Sequence, residues 1–194
     1  TLAGPIRGLV LVGYMMPMSV TALLGKNLFL LDGGVINDLL MKVHLISSPI
    51  DWLVNGGTAL GAVIAVNCWV GIPFNMLLLT SGLTGISTDI YESASMDGAN
   101  AFKRFIYITL PLMKPAMLSV LMLGFIYTFK AFDLMYIMTA GGPFNSTDVL
   151  GTYAYSKAFT QYEFSQGSAI AMVLFACLFL VGIFYLKLLS KEDD

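Results

Sequence analysis

The chain has 194 residues, of which 57% are hydrophobic and 11% charged, with a formal net charge of −2 and a mean hydropathy of +0.81. Soluble domains carry about a quarter charged residues, so this chain is built for a bilayer. Its near-neutral charge gives no electrostatic support for nucleic-acid binding or a polybasic lipid-surface role. His44 is the single histidine, which removes most His-based metal sites and catalytic triads. Cys68 and Cys177 both lie in apolar runs, where neither a disulfide nor a metal site is expected. No catalytic residue, metal or cofactor is expected. The chain opens on Thr1 without a basic-then-apolar leader, which reads as a protein whose N-terminal part is absent.

A bilayer core of about 30 Å needs roughly 20 apolar residues per helix. The first candidate span covers residues 8–25, is interrupted only by Pro17, and can extend to Leu31 if tilted. A second covers residues 58–80, where Gly57, Gly61 and Ala65 form a small-residue ridge suited to close helix packing. Pro17 and Pro73 are expected to kink their spans. A third runs over residues 112–138 and a fourth over 168–189. Only helices and closed barrels satisfy the backbone in lipid, and no run alternates as a barrel strand does. The expected fold is therefore all-α: a polytopic transmembrane helical bundle forming a single domain over residues 1–194.

Between the second and third spans lies a polar interruption, residues 91–115, holding Glu92, Asp97, Lys103 and Arg104. It reads as two short helices broken at Asp97-Gly98, a turn signal because glycine takes conformations other residues resist. Asp89 is positioned to cap the first helix, with Glu92 reaching back as in a capping box. Phe102, Phe105, Ile106 and Ile108 give the second helix an apolar face for a membrane or a partner. Pro111 fits the first turn of the next span. An interfacial amphipathic helix with no partner is the plain alternative.

On the third span, Lys130 and Asp133 are three apart and can pair along one helix face. Ionisable residues within the bilayer are functional candidates, though snorkelling or a structural ion pair fits equally. Gly124, Tyr127, Thr128 and Ala131 share that face, so Tyr127 and Thr128 are candidate lining residues, with helix packing as the other reading. In the loop of residues 141–167, Tyr155, Phe159 and Tyr162 recur at helical spacing, as in a short interfacial helix. With residues 91–111 placed in the cytoplasm, Arg7, Lys103, Arg104, Lys114, Lys187 and Lys191 fall inside and Lys26, Lys42 and Lys157 outside. The positive-inside rule favours that orientation.

Glu92, Ser93, Ala94 and Gly98, followed by Ile108, Leu110 and Pro111, resemble the E-A-A-x-x-x-G…I-x-L-P loop of the membrane subunits of binding-protein-dependent ABC importers. The likeness is strongest to sugar permeases of the maltose and glycerol-phosphate type, with Ser93 standing where the pattern has Ala. Further segments agree in order and spacing. The run from Trp69 to Phe74 is similar to the family's W-x-G-x-P-F, and Phe132-Asp133 leading to Gly141-Gly142-Pro143 resembles F-D…T-x-G-G-P. Gly33 to Asn37 with Leu40 resembles G-x-I-N-x-L, while Tyr155, Ala158, Phe159 and Gly167-Ser168-Ala169 resemble the entry to the last helix.

The resemblance implies a permease of six or more spans, about four of them visible here, with a cytoplasmic coupling loop at residues 81–111. It implies that Glu92, Ala94, Asp97, Gly98, Ile108, Leu110 and Pro111 engage a separate ATP-binding subunit, present in two copies. Val70, Gly71, Phe74, Tyr127, Thr128 and Ala131 would line the substrate path. Implied partners are a second permease subunit, an extracytoplasmic solute-binding protein and a small-molecule substrate of carbohydrate type. The implied location is a bacterial or archaeal cell membrane (inner or plasma), with the 91–111 loop and the C-terminus cytoplasmic. The chain would not itself be an enzyme, and it has no G-x-x-x-x-G-K-[ST] phosphate loop. The alternative is an ion-coupled secondary transporter or channel, which would place charged relays deep in the bilayer and show internal repeats.

Overall fold

A computed structural model of the chain describes residues 3–190. Among them no strand is present, and the helices in chain order are α1 (Ala3–Tyr14), α2 (Met18–Leu28), α3 (Val35–Lys42), α4 (Gly56–Thr84), α5 (Thr88–Met96), α6 (Ala101–Leu112), α7 (Lys114–Phe129), α8 (Asp133–Thr139), α9 (Leu150–Tyr155) and α10 (Phe164–Ser190). A π-type turn, Phe105–Thr109, lies within α6, and a second, Ser156–Thr160, continues α9.

Two helices are each long and apolar enough to cross a membrane: α4, with 29 residues, and α10 over Phe164–Leu188. At 1.5 Å per residue α4 is about 43 Å long, and it runs through Pro73 without a break. The other two expected spans are bent. Residues 8–31 do not form one tilted helix, because α1 and α2 meet at 101°. Pro17 sets that corner: it lacks an N–H, restricts the residue before it, and stands at the start of α2 with φ −56° and ψ 142°.

The third expected span, residues 112–138, is likewise divided. The helix α7 stops at Phe129, and α8 begins only at Asp133. At its other end α7 meets α6 at 64°. Pro111 therefore sits at the end of α6, and it is Pro115 that occupies the first turn of the span. That position suits proline because the first-turn N–H groups have no intrahelical partner.

The packed core lies where α2, α4 and α8 meet, with Ala22, Ala62, Val63, Val66, Leu134, Met135 and Met138 buried together. Small residues let these helices approach closely. A Cβ built on Gly25 would stand 2.7 Å from a methyl of Val66, and valine has little rotamer freedom in a helix. Gly25→Leu is therefore expected to overpack the α2–α4 contact by about 1–3 kcal/mol. A thermal midpoint several degrees lower in detergent is the measurement that checks it. The ridge of Gly57, Gly61 and Ala65 takes no part in this packing. It faces outward, and the buried side of α4 is Ala59, Ala62, Val63 and Val66. Phe175, Phe179, Leu180 and Phe184 of α10 project outward as well, as a lipid-solvated helix allows.

At the end of α4 remote from α5, two buried polar residues hold the loops. Asn37, 1% exposed, donates through its amide to the carbonyls of Leu30 and Ile50 and accepts from the Ile50 N–H and the Trp52 indole. Thr147 donates to the Gly142 carbonyl at 2.7 Å and shares a 2.6 Å hydrogen bond with Thr139. Nearby, Lys157 pairs with Glu163 at 2.9 Å, and the hydrogen bond it donates to that carboxylate raises the lysine above its ordinary value. Tyr155 and Phe159 pack in an aromatic cluster with Phe132, Tyr136 and Phe164. The expected helical stripe ends there, because Tyr162 lies beyond the helix at φ +58° and is 75% exposed.

Candidate functional site

Two features of the chain carry chemistry: the hairpin of α5 and α6, and a cleft bordered by α1, α4, α7 and α8.

The hairpin starts at Ser87, whose hydroxyl accepts the Asp89 N–H at 3.3 Å. Ser87, and not Asp89, is therefore the cap. Asp89 sits in the first turn, where its charge complements the helix dipole, and no capping box with Glu92 forms. The first helix ends at Asp97, and Gly98 turns the chain at φ +77°, a left-handed conformation that costs glycine nothing. The side chain of Asn100 then caps α6 by accepting the Lys103 N–H at 2.9 Å.

Glu92 is exposed and makes no hydrogen bond or ion pair with any described residue. Ala94 and Ile108 are half-buried, while Asp97, Leu110 and Pro111 are exposed. No residue of α5 is buried, and Met96, Phe102, Phe105 and Tyr107 stand out from the hairpin. The two ends of the hairpin are drawn together by a 2.9 Å hydrogen bond between the Tyr91 and Thr109 hydroxyls.

The six residues expected to line a path, Val70, Gly71, Phe74, Tyr127, Thr128 and Ala131, all border one cleft of about 690 Å³. Both walls come from helices that flank the hairpin. The helix α4 ends four residues before α5 begins, and α7 follows α6 directly. Aromatic rings cross the cleft in sequence: Tyr14 stacks on Phe74 with centroids 6.1 Å apart, and Phe74 meets the edge of Tyr127 at 5.5 Å. The ammonium of Lys130 lies 5.0 Å over the Tyr127 ring, a favourable cation–π position. Trp69 is not part of this wall, since it faces α1, where a Cβ on Gly13 would lie 3.2 Å from its ring.

Lys130 and Asp133 do not pair. Their spacing of three implies contact only on a continuous helix, and the helix is interrupted between them: Lys130 ends α7 and Asp133 opens α8. Both border the cleft, together with Tyr14, Asn67 and Asn75. These last three were not singled out from sequence, though two asparagines inside the uncharged run of α4 are a readable signal. The Asn75 side-chain oxygen is buried without a hydrogen-bond partner among the described residues, an unusual state for a buried acceptor. Ring faces beside amide, hydroxyl and charged groups suit a polyhydroxylated solute, which presents both C–H faces and hydroxyls.

Known proteins resemble this chain in sequence and in fold. The model of the family described as "Binding-protein-dependent transport system inner membrane component" matches residues 1–191. The chain is 33% identical over 189 residues to a sulfoquinovosyl glycerol transport system permease protein of Agrobacterium fabrum, covering 97% of this chain and 61% of that protein. It is 34% identical over 184 residues to a trehalose/maltose transport system permease protein of Thermococcus litoralis, covering 95% of this chain and 61% of that one. The chain thus spans about three fifths of the length of these curated relatives. Among solved structures, a bacterial ABC transporter that imports the acidic polysaccharide alginate superposes with a TM-score of 0.86 at 18% identity, over 98% of this chain and 66% of its own. At that identity the superposition speaks for the fold alone. The order of motifs, the helical architecture and the family match over nearly the whole chain lead to one conclusion: this protein belongs to the family of binding-protein-dependent transport system inner membrane components.

Proposed function

We propose that this chain is a permease subunit of an ATP-driven importer for carbohydrate-type solutes, forming half of the substrate path and coupling to a separate ATPase through residues 91–111. The observation that carries the reading is the connectivity of α7. This single helix leaves the hairpin at Lys114 and ends beside the cleft at Tyr127 and Thr128, so one element joins the two features. The hairpin, with its exposed Glu92 and its turn at Gly98, is the cytoplasmic contact for a separate ATP-binding subunit, which is present in two copies in the complex. The cleft takes the sugar mid-membrane and is completed by a second permease subunit. The loops at the remote end of α4 receive an extracytoplasmic binding protein. Relatives named for sulfoquinovosyl glycerol and trehalose/maltose transport support the carbohydrate class.

The test is an ATPase assay on the purified chain and on the assembled complex in vesicles. The chain alone is expected to hydrolyse no ATP, and the complex to hydrolyse ATP in step with uptake. Robust hydrolysis by the chain alone sinks the reading. Uptake driven by an ion gradient without ATP points to a secondary transporter instead.

A further inference from the structure

The hairpin holds a closed ring of hydrogen bonds that involves none of the residues assigned to docking. The Thr109 hydroxyl reaches the Arg104 carbonyl at 3.4 Å and the Tyr91 hydroxyl at 2.9 Å. With its own proton directed to that carbonyl, Thr109 accepts from Tyr91. Arg104 Nη1 donates to Ser95 Oγ at 2.8 Å, and Ser95 Oγ donates to the Tyr91 carbonyl at 2.7 Å. Two of these bonds pass from α5 to α6, and among the described residues they are the side-chain hydrogen bonds that join the two helices. Thr109 is the ring's buried member, 7% exposed. Since no residue of α5 is buried, that helix has no apolar core to hold its position, and the ring supplies the hold.

The placement of Thr109 gives the ring a consequence beyond local order. It closes the π-type turn of α6, an irregularity that occurs mostly at functional positions. Its carbonyl accepts the Met113 N–H at 2.9 Å across the bend where α6 meets α7. A displacement of α5 therefore has a bonded route through Tyr91 and Thr109 to the start of α7, and α7 ends beside the cleft.

Resting on the function proposed above, we infer that Tyr91 and Thr109 form a latch that transmits movement of the docked α5 to α7. They are positioning residues, distinct from those that hold the ATPase. A side-chain pair that only shaped the hairpin would, when broken, release the ATPase subunit. A transmitting pair would leave it bound and cycling.

The experiment uses the assembled importer in vesicles, with the native chain, Tyr91→Phe, Thr109→Val, the double variant and Thr109→Ser. Three quantities are read: the ATPase subunit retained on purification, ATP hydrolysed, and sugar taken up. Each single loss of a hydroxyl is expected to lower sugar moved per ATP about fivefold or more while subunit retention stays within about twofold. The double variant is expected to be no worse than Thr109→Val, which already removes the bond to Tyr91 together with the Thr109 bond to the Arg104 carbonyl. Thr109→Ser, which keeps the hydroxyl, is expected to stay within about twofold of native. An unchanged ratio in both single variants overturns the latch. So does a loss of coupling that parallels loss of the ATPase subunit, or a double variant whose defect is the product of the singles. A native complex that takes up sugar without hydrolysing ATP overturns the underlying function, and that failure is visible before any variant is measured.

Discussion

In vesicles carrying the assembled importer, Gly98→Asp and Glu92→Ala are expected to lower ATP-driven uptake ten- to a hundred-fold while the chain still inserts and folds. The structure separates two explanations for Gly98. Its φ of +77° demands a left-handed backbone, but a Cβ there meets nothing within 4 Å in this chain. Aspartate is one of the side chains that tolerates this conformation, so strain alone would be mild, and a large defect would report the surface of the docked ATPase. Glu92 is exposed and has no partner among the described residues. In the proposed complex it would become part of a contact whose loss leaves a buried group unsatisfied, which costs about 1–3 kcal/mol and weakens binding by roughly ten- to a hundred-fold. Lys157→Ala is the control: it lies in the loop at the opposite end of α4, and its exposed ion pair with Glu163 contributes little to stability. Retention of the ATPase subunit and uptake are measured for all three. Unchanged retention and uptake in both hairpin variants would mean that residues 91–111 form only an interfacial helix.

The hairpin was legible because its signals are local. An Asp-Gly dipeptide between two polar segments fixes a turn through backbone preference alone, and the structure turns at that place. The cap was misplaced by two residues for an equally local reason. Serine and aspartate are comparable N-cap residues, and Ser87 and Asp89 both stand at the start of the same helix. Composition cannot choose between them, and only the side-chain geometry at Ser87 does.

The bends were less legible because they depend on what surrounds the chain. Pro17 permits a corner, but proline also occurs within membrane helices, as Pro73 does in the unbroken α4. The difference lies in packing: α2 turns to bury Ala22 and Gly25 against α4 and α8, a contact between residues distant in sequence. The break at Lys130 has no proline or glycine to mark it. Reading a continuous helix there produced the expected Lys130–Asp133 pair, which the break removes. The cleft was recovered nevertheless, because its walls are short stretches of sequence on α4 and α7, and the gap at Lys130 leaves Ala131 on the same side as Tyr127.

Tyr127→Ala is expected to reduce uptake about tenfold, or to change sugar preference, with the ATPase subunit retained as in the native complex. The ring is the third member of the row formed by Tyr14, Phe74, Tyr127 and Lys130, in contact with both Phe74 and Lys130. Truncation therefore removes an edge-to-face contact of about 0.5–1.5 kcal/mol and a cation–π contact of about 0.5–1 kcal/mol at an exposed site. Those terms alone would loosen the cleft without closing it. A sugar stacked on the ring would lose its own contact as well, which is what brings the expected effect to tenfold. Tyr127→Phe separates the parts: it keeps the ring and the contacts to Phe74 and Lys130 and removes only the hydroxyl. If the ring face binds the solute, Tyr127→Phe keeps most of the uptake and Tyr127→Ala does not. If the hydroxyl binds it, the two variants fail alike. Normal uptake and normal preference in Tyr127→Ala would make this ring a packing element and move the substrate path away from the cleft between α4 and α7.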